Sequence, residues 1–299
     1  LASLVENSLV IKETLQKTMD SLNGHKDDPH SFDNLEKLLK AQAYRLSFWR
    51  VTNDEINYRR FFDINDLVSM RVEEEDVFQA MHELILKYIK QGWITGIRLD
   101  HVDGLFDPQQ YFARLQQACT QVLEEPHEQP GRQFYLVVEK ILGGNEHLRS
   151  QWLVFGTTGY DYLNLLNGLF VVKENRAHIK QIYDQFIHQQ DEMREVIYIC
   201  KKLILTLSMS SELHILARHL EEVSEQHRWS RDYTLETLRS ALRDVIACFP
   251  VYRSYIRLED SQVTEEDREY VITAIKQAKR RNPASDPSIF DFIESVLLL

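Results

Sequence analysis

Apolar residues recur along this chain with two different periods, and the change falls a little beyond its middle. Residues 1–20 (LASLVENSLVIKETLQKTMD) carry a mixed helical period and predict a helix. In 32–42 (FDNLEKLLKAQ), Phe32, Leu35, Leu38 and Leu39 share one face, which predicts an amphipathic helix. The next stretch, YRLSFWR at 44–50, alternates and is rich in aromatics, as strands are. Residues 74–91 (EEDVFQAMHELILKYIKQ) predict a strong helix closed by Gly92. WITGIRLD at 93–100 then reads as a strand. A helix over 107–125 opens with Asp107 as its cap and Pro108 at its first position. A loop with Pro126 and Pro130-Gly131 leads into FYLVVEK at 134–140, a continuous apolar run expected of a parallel strand buried on both faces.

Helix and strand therefore alternate three times across 32–140, the sequence sign of a parallel α/β sheet or barrel. After about residue 175 no strand-like run survives and long helical patterns take over. Thr234 is placed to cap 235–247, and Thr264 with Asp267 makes a capping-box pattern before 265–280. Asp286-Pro287 opens a last helix over 287–297. The second half reads as an all-helical lobe, with no internal repeat and no low-complexity segment.

Length, composition and charge narrow the function. At 299 residues the chain suits one large domain or two ordinary ones. Hydrophobic residues make up 43% and charged ones 27%, as in a soluble globular protein. A formal net charge of −11 argues against a nucleic-acid partner, which would call for a basic face, and is compatible with neutral substrates such as sugars. Cys119, Cys200 and Cys248 are scattered and lack CxxC spacing. They are expected as reduced thiols of a cytoplasmic protein rather than a disulfide frame or a zinc site. Apolar runs stay well below the roughly 18–20 residues that span a bilayer, so no membrane partner is expected. No signal-peptide pattern is present, and the opening Leu1 and closing SVLLL suggest a piece of something longer.

The chemistry concentrates at two strand ends. GIRLDHVDGL (96–105) carries Arg98 inside a short apolar run and places Asp100, His101 and Asp103 at its tip. Glu139 ends the next strand. Barrels of alternating strands and helices hold their catalytic groups at such C-terminal ends. Adjacent tips lie about 5 Å apart, so two carboxylates there can approach the roughly 5–5.5 Å separation of retaining glycosidases. Arg98, two residues before Asp100, points to the same side of the strand and could hold that carboxylate ionised and oriented. The plainer alternatives are that Asp100 forms a turn or caps a helix, and that Glu139 makes a buried salt bridge to Lys140 or Arg98.

The same stretch resembles the nucleophile motif of the alpha-amylase superfamily, Gly-x-Arg-x-Asp, and LVVEK resembles its acid/base motif. More specifically, YRLSFWRVTNDEINYRRFFDINDLVSMR (44–71), VEKIL (138–142) and FGTTGYDYLN (155–164) are similar to the maltooligosyltrehalose synthase family. So are SELHILARHL (211–220), DVIACFPVYRSYI (244–256) and DPSIFDFIESVLLL (286–299). The resemblance implies an α/β plus all-α chain. About three strands of a (β/α)8 TIM barrel would lie over 1–170, and a helical lobe, inserted in or attached to the barrel, over 171–299.

By the same resemblance Asp100 is the nucleophile, Glu139 the general acid and base, and Arg98 the group that orients Asp100. His101, next to the nucleophile, could contact a sugar hydroxyl, or could be a structural strand-end histidine. Tyr58 and Phe61 or Phe62 could stack on a glucose face, with Arg59 or Arg60 bonding hydroxyls, though paired Phe with flanking Arg are equally ordinary in a packed loop. Lys140 and Tyr160 complete the substrate-contact candidates, with Asp161 of similar standing to Tyr160. Gly156 and Gly159 are expected to shape a turn, Asp103 to sit in a turn and Asp107 to cap. No metal and no cofactor is implied.

The implied reaction is an intramolecular rearrangement of a maltooligosaccharide. Its reducing-end α-1,4 link becomes an α,α-1,1 link with retention, and water is excluded. The superfamily's third carboxylate, in a later His-Asp pair, and its early Asp–Asn–His motif have no counterpart in the sequence. The chain is therefore expected to be an internal fragment, inactive or nearly so by itself. The alternatives are another alpha-amylase superfamily glucan hydrolase or debranching enzyme, and a non-catalytic glycan-binding fragment. An open sheet edge makes a homodimer conceivable.

Overall fold

The computed structural model describes the chain apart from residues 1–4, 7, 124–132, 189–191, 258, 261 and 299. The expected loop around Pro126 and Pro130-Gly131 lies outside the described residues. Two compact units are present, Leu1–Glu55 and Ile56–Leu299.

In the first unit, α1 (Leu9–Asn23) starts where the Ser8 hydroxyl accepts from the Ile11 amide and stops at Gly24, which takes a positive φ of 58°. Helix α2 (Asp33–Lys40) turns Phe32, Leu35 and Leu39 partly inward, while Leu38 stays exposed. The strand expected at 44–50 does not form. Its aromatics alternate, but alternation stabilises a strand only against a paired neighbour. Here Tyr44, Leu46, Phe48 and Trp49 are exposed, and the chain coils into a 3-10 turn at Trp49–Val51 that runs into α3 (Thr52–Glu55).

The second unit opens with an antiparallel hairpin that the hydrophobic pattern did not announce. Strand β1 (Arg60–Phe61) pairs with β2 (Ile64–Val68), with an irregular register and Phe62 at φ 51° in the turn. Helix α4 (Glu75–Lys90) is followed by Gly92 at φ 71°. Strand β3 (Gly96–Leu99), helix α5 (Pro108–Val122) and strand β4 (Tyr135–Val138) follow in order, and Asp107 caps α5 by accepting from Gln110 N at 3.0 Å. β3 and β4 are parallel, Gly96 facing Tyr135 and Leu99 facing Val138. The third parallel strand is β5 (Gly156–Thr157), on the other side of β4. This sheet has three parallel strands, with Gly156–Thr157 in the place given to 44–50. Barrel closure is not seen among the described residues.

Only one face of this sheet is dry. Leu136 and Val138 of β4 are fully buried against Phe112, Leu115 and Cys119 of α5 and Phe78 and Ile89 of α4. Each such side chain stabilises by roughly 1.5–3 kcal/mol. Tyr135, on the opposite face, is exposed, so the run at 134–140 is not buried on both sides as expected. Gln116 of α5 fixes the layers by donating to Phe134 O and Leu153 O and accepting from Phe134 N.

All described elements after β5 are helical: α6 (Tyr160–Gly168), α7 (Arg176–Ile187), α8 (Met193–Leu207), α9 (Ser210–Glu225), α10 (Leu235–Cys248), α11 (Glu265–Arg281) and α12 (Pro287–Leu297). Thr234, Thr264 and Asp286 cap the last three, as their spacing predicts. Leu238, Val245, Ile275, Phe290 and Ile293 form the core between them. Cys119 and Cys248 are buried and Cys200 is exposed, all three free, and burial pushes the Cys119 thiol up to about 11. Among the described residues no helix is long and apolar enough to cross a membrane.

Candidate active site

Strand β3 delivers Arg98 and then Asp100 to the open side of the sheet, and β4 delivers Glu139 beside them. The Glu139 amide still donates to Leu99 O at 2.8 Å, so parallel pairing holds right up to the tip. Arg98 Nη2 lies 3.1 Å from Asp100 Oδ1 and 3.2 Å from Glu139 Oε1. One guanidinium nitrogen thus bridges both carboxylates, and the two oxygens can be no farther apart than the sum of those distances. That upper bound is compatible with the roughly 5–5.5 Å separation at which two carboxyl groups act on one anomeric centre. The two differ in exposure: the Asp100 side chain is 68% exposed and that of Glu139 23%. Glu139 does pair with Arg98, but the pair is not the buried salt bridge of the plainer alternative, since the Arg98 side chain is 55% exposed and Asp100 shares it.

Beyond Asp100 the chain bends sharply. His101 takes φ 46°, in the left-handed region, and opens a 3-10 turn over Val102–Gly104. That conformation aims the His101 amide at Glu139 Oε2, 3.4 Å away. The Tyr160 hydroxyl, from the first turn of α6, reaches Glu139 Oε1 at 3.5 Å. Gly159 precedes it at φ 100°, and Arg98, Thr158, Gly159, Tyr160 and Leu163 line an open groove beside the carboxylates. Asp161 accepts from the Thr157 hydroxyl at 2.9 Å.

An aromatic patch adjoins the tip. The His101 ring packs on Phe61 at 4.8 Å and Phe62 at 4.9 Å, with Tyr252 at 6.3 Å. Phe62 is half exposed, and Tyr58, whose hydroxyl donates to Asn65 O, is exposed as well. Arg59 is exposed close to Tyr252.

Two sequence-based candidates belong elsewhere. Arg60 is not placed to bond sugar hydroxyls. Its side chain is 1% exposed, and its guanidinium is used up on Glu212, Ser208 O, Asn65 Oδ1 and Asp63 O, at 2.6–3.2 Å. Lys140 follows Glu139 on a strand end, so it faces the other way. It is 1% exposed, with its ammonium 2.8 Å from Glu146 and 3.5 Å from Asp103 and without hydrogen-bonding geometry to either.

The residues missed in the sequence come from the extended stretch between α10 and α11, which the pattern assigned to a helical lobe. Arg253 donates to Asp103 O and Leu105 O at 3.0 and 2.7 Å, and the Tyr255 hydroxyl bonds the Asp103 carboxylate. Arg257 pairs with Asp107 at 2.7 Å. The available signal was PVYRSYIR itself, where Pro250 breaks the helical pattern and tyrosines and arginines cluster. Asp103 and Asp107 do serve as turn residue and cap, with these extra partners.

No protein-family model matches the chain. Two curated proteins named "Putative maltooligosyl trehalose synthase", from Mycobacterium tuberculosis strains CDC 1551 and H37Rv, are 33% identical to it over 177 residues, 59% of this chain and 21% of theirs. The solved maltooligosyltrehalose synthase of Arthrobacter ramosus superposes with a TM-score of 0.66 at 27% identity, covering 88% of this chain and 33% of that one. A "hypothetical maltooligosyl trehalose synthase" of Sulfolobus tokodaii gives 0.62 at 29% identity, covering 89% and 32%. In sequence and in fold, then, this chain is similar to a stretch of the maltooligosyltrehalose synthases, of whose solved chains it spans about a third.

Proposed function

We propose that this chain carries the nucleophile and the acid/base group of a maltooligosyltrehalose synthase, on a three-strand segment of a (β/α)8 barrel over 1–170 with a helical lobe over 171–299. The observation that supports it most is the Arg98 nitrogen bridging Asp100 and Glu139 at neighbouring parallel strand tips. Asp100 attacks the anomeric carbon of the residue next to the reducing-end glucose, while Glu139 protonates the departing glycosidic oxygen. The result is a β-glycosyl ester on Asp100 and a free glucose. The glucose reorients in its pocket, and its anomeric hydroxyl, deprotonated by Glu139, attacks the ester and releases Asp100. Two inversions give net retention and an α,α-1,1 link.

Water competes for the ester, so the freed glucose must be held at high effective concentration. His101 and Tyr160 lie within reach of the reacting carboxylates. Phe62 and Tyr58 offer faces for stacking on a sugar ring, and Arg59 an exposed guanidinium. A cytoplasmic setting and a maltooligosaccharide substrate complete the reading.

Product analysis tests it. A polypeptide of the relatives' length that carries this segment, given maltopentaose, loses reducing ends with little free glucose, and Asp100→Asn abolishes the loss. Rising reducing ends would mean hydrolysis, by a glucan hydrolase of the same superfamily. The 299 residues alone, with no His-Asp pair after Glu139, are expected to turn over slowly or not at all.

A further inference from the structure

We propose that Arg253 is a positioning residue for the carboxylate-bearing tip. It pins the 102–104 turn from behind, and so holds the His101 amide on Glu139. The proposal rests on the reading of Asp100 and Glu139 given above. Its starting point is His101 at φ 46°. A non-glycine residue in the left-handed region is strained, and persists only where its surroundings over-determine it.

Two features of the turn itself help hold His101. Gly104 N donates to His101 O at 2.9 Å. A Cβ on Gly104 would also fall 2.6 Å from His101 Cδ2, so the missing side chain is what lets the ring fold over the turn. The remaining constraint comes from about 150 residues away in sequence. Arg253 Nη1 donates to the carbonyls of residues 103 and 105, which straddle Gly104, and its Nε donates to Ser254 O at 2.9 Å. These are charge-assisted bonds to backbone, stronger than neutral ones, and burial lowers the guanidinium's pKa without discharging it. The Arg253 guanidinium also lies 5.1 Å from the Tyr255 ring centre. Tyr255 and Arg257 fasten the same extended stretch to Asp103 and Asp107, so the stretch stays docked when Arg253 alone is changed.

Amide hydrogen exchange of the 299-residue chain, resolved by residue, tests this. In Arg253→Gln the amides of His101, Gly104 and Leu105 are expected to exchange about tenfold faster or more, the loss of one charge-assisted bond. Amides of α12 are expected to stay unchanged. Arg253→Lys, which can donate to one carbonyl, is expected to fall between. Arg257→Gln removes a neighbouring ion pair without touching the turn, and is expected to leave the His101 amide as in the unchanged protein. Unaltered exchange at 101–105 in Arg253→Gln would overturn the proposal. So would a rise spread evenly over the helices, or an equal effect of Arg257→Gln, since either marks a general packing role.

A second measurement separates this from the underlying reading. 5-Fluoro-α-D-glucosyl fluoride is attacked at its anomeric carbon with loss of fluoride, and leaves a slowly hydrolysed ester on the nucleophile. In a polypeptide of the relatives' length that carries this segment, mass spectrometry is expected to place the adduct on Asp100, forming about tenfold more slowly in Arg253→Gln at unchanged half-saturation. If that longer polypeptide gains no adduct with Arg253 unchanged, the reading of Asp100 fails, and the exchange data still decide the role of Arg253.

Discussion

Two arginines in one short motif have opposite environments, and periodicity gives no hint of which is which. Arg59 and Arg60 are adjacent, yet Arg59 is exposed and Arg60 is buried with every nitrogen engaged. Arg59 immediately precedes β1 and its carbonyl still accepts from Ser69 N at 2.8 Å, and along such an extended chain successive side chains leave opposite faces. Truncating Arg60 to Ala would strand Glu212, whose side chain is mostly covered, and free two backbone carbonyls. We expect Arg60→Ala to lower unfolding stability by about 3 kcal/mol, read from the shift in urea midpoint. Arg60→Lys should recover little of it, since an ammonium cannot reproduce the paired contact with Glu212. Arg59→Ala should change stability within about 0.5 kcal/mol. If the Arg60 and Arg59 variants melt alike, the assignment of Arg60 to the scaffold is wrong.

At the scale of elements, what could be read in advance was what depends on neighbours in sequence. Asp107-Pro108, Thr234 and Asp286-Pro287 start helices where expected, because a cap bonds an amide two or three residues away. That Asp100 and Glu139 sit at the ends of neighbouring strands was also legible, since each follows a short apolar run whose end is marked locally. What depends on distant partners was not legible. Residues 44–50 have strand composition without a paired strand, and the hairpin at 60–68 turns through Phe62 rather than through the Asn or Gly that marks such turns. The Arg253 stretch was hidden because nothing local ties it to Gly104. The Gly104 turn itself makes a test. Its added Cβ in Gly104→Ala meets a ring already packed on Phe61 and Phe62, so the imidazole cannot retreat without leaving them. A cost of about 1–3 kcal/mol is expected, with loss of the ring-current shift that the phenyl groups impose on His101. An unshifted His101 spectrum with full stability would show that the turn is looser than drawn.

For the second unit as a whole, the apolar surface is lopsided. The sheet buries one face and leaves Tyr135 and Phe155 open on the other, although parallel sheets are normally covered on both. From α6 through α8 the imbalance is larger. Leu165, Leu169, Phe170, Ile182, Phe186 and Leu203 are all exposed, Phe170 and Phe186 at 82% each. Large apolar side chains exposed in such number along neighbouring helices are unusual for a soluble monomer. The relatives that match this chain are about three times its length, which agrees with a surface that further polypeptide would cover. By itself, the 299-residue chain is therefore expected to self-associate. Sedimentation equilibrium over a range of concentrations should show an average mass rising above that of one chain. Phe170→Asp with Phe186→Asp should lower that mass at equal concentration, while the caps and core of α10–α12 keep the helical signal unchanged. Association that ignores both substitutions would move the contact to the sheet, whose β3 and β5 edges offer unpaired backbone groups among the described residues. A single-chain mass at every concentration would mean that this surface is tolerated bare, and the case for a covering partner would fall with it.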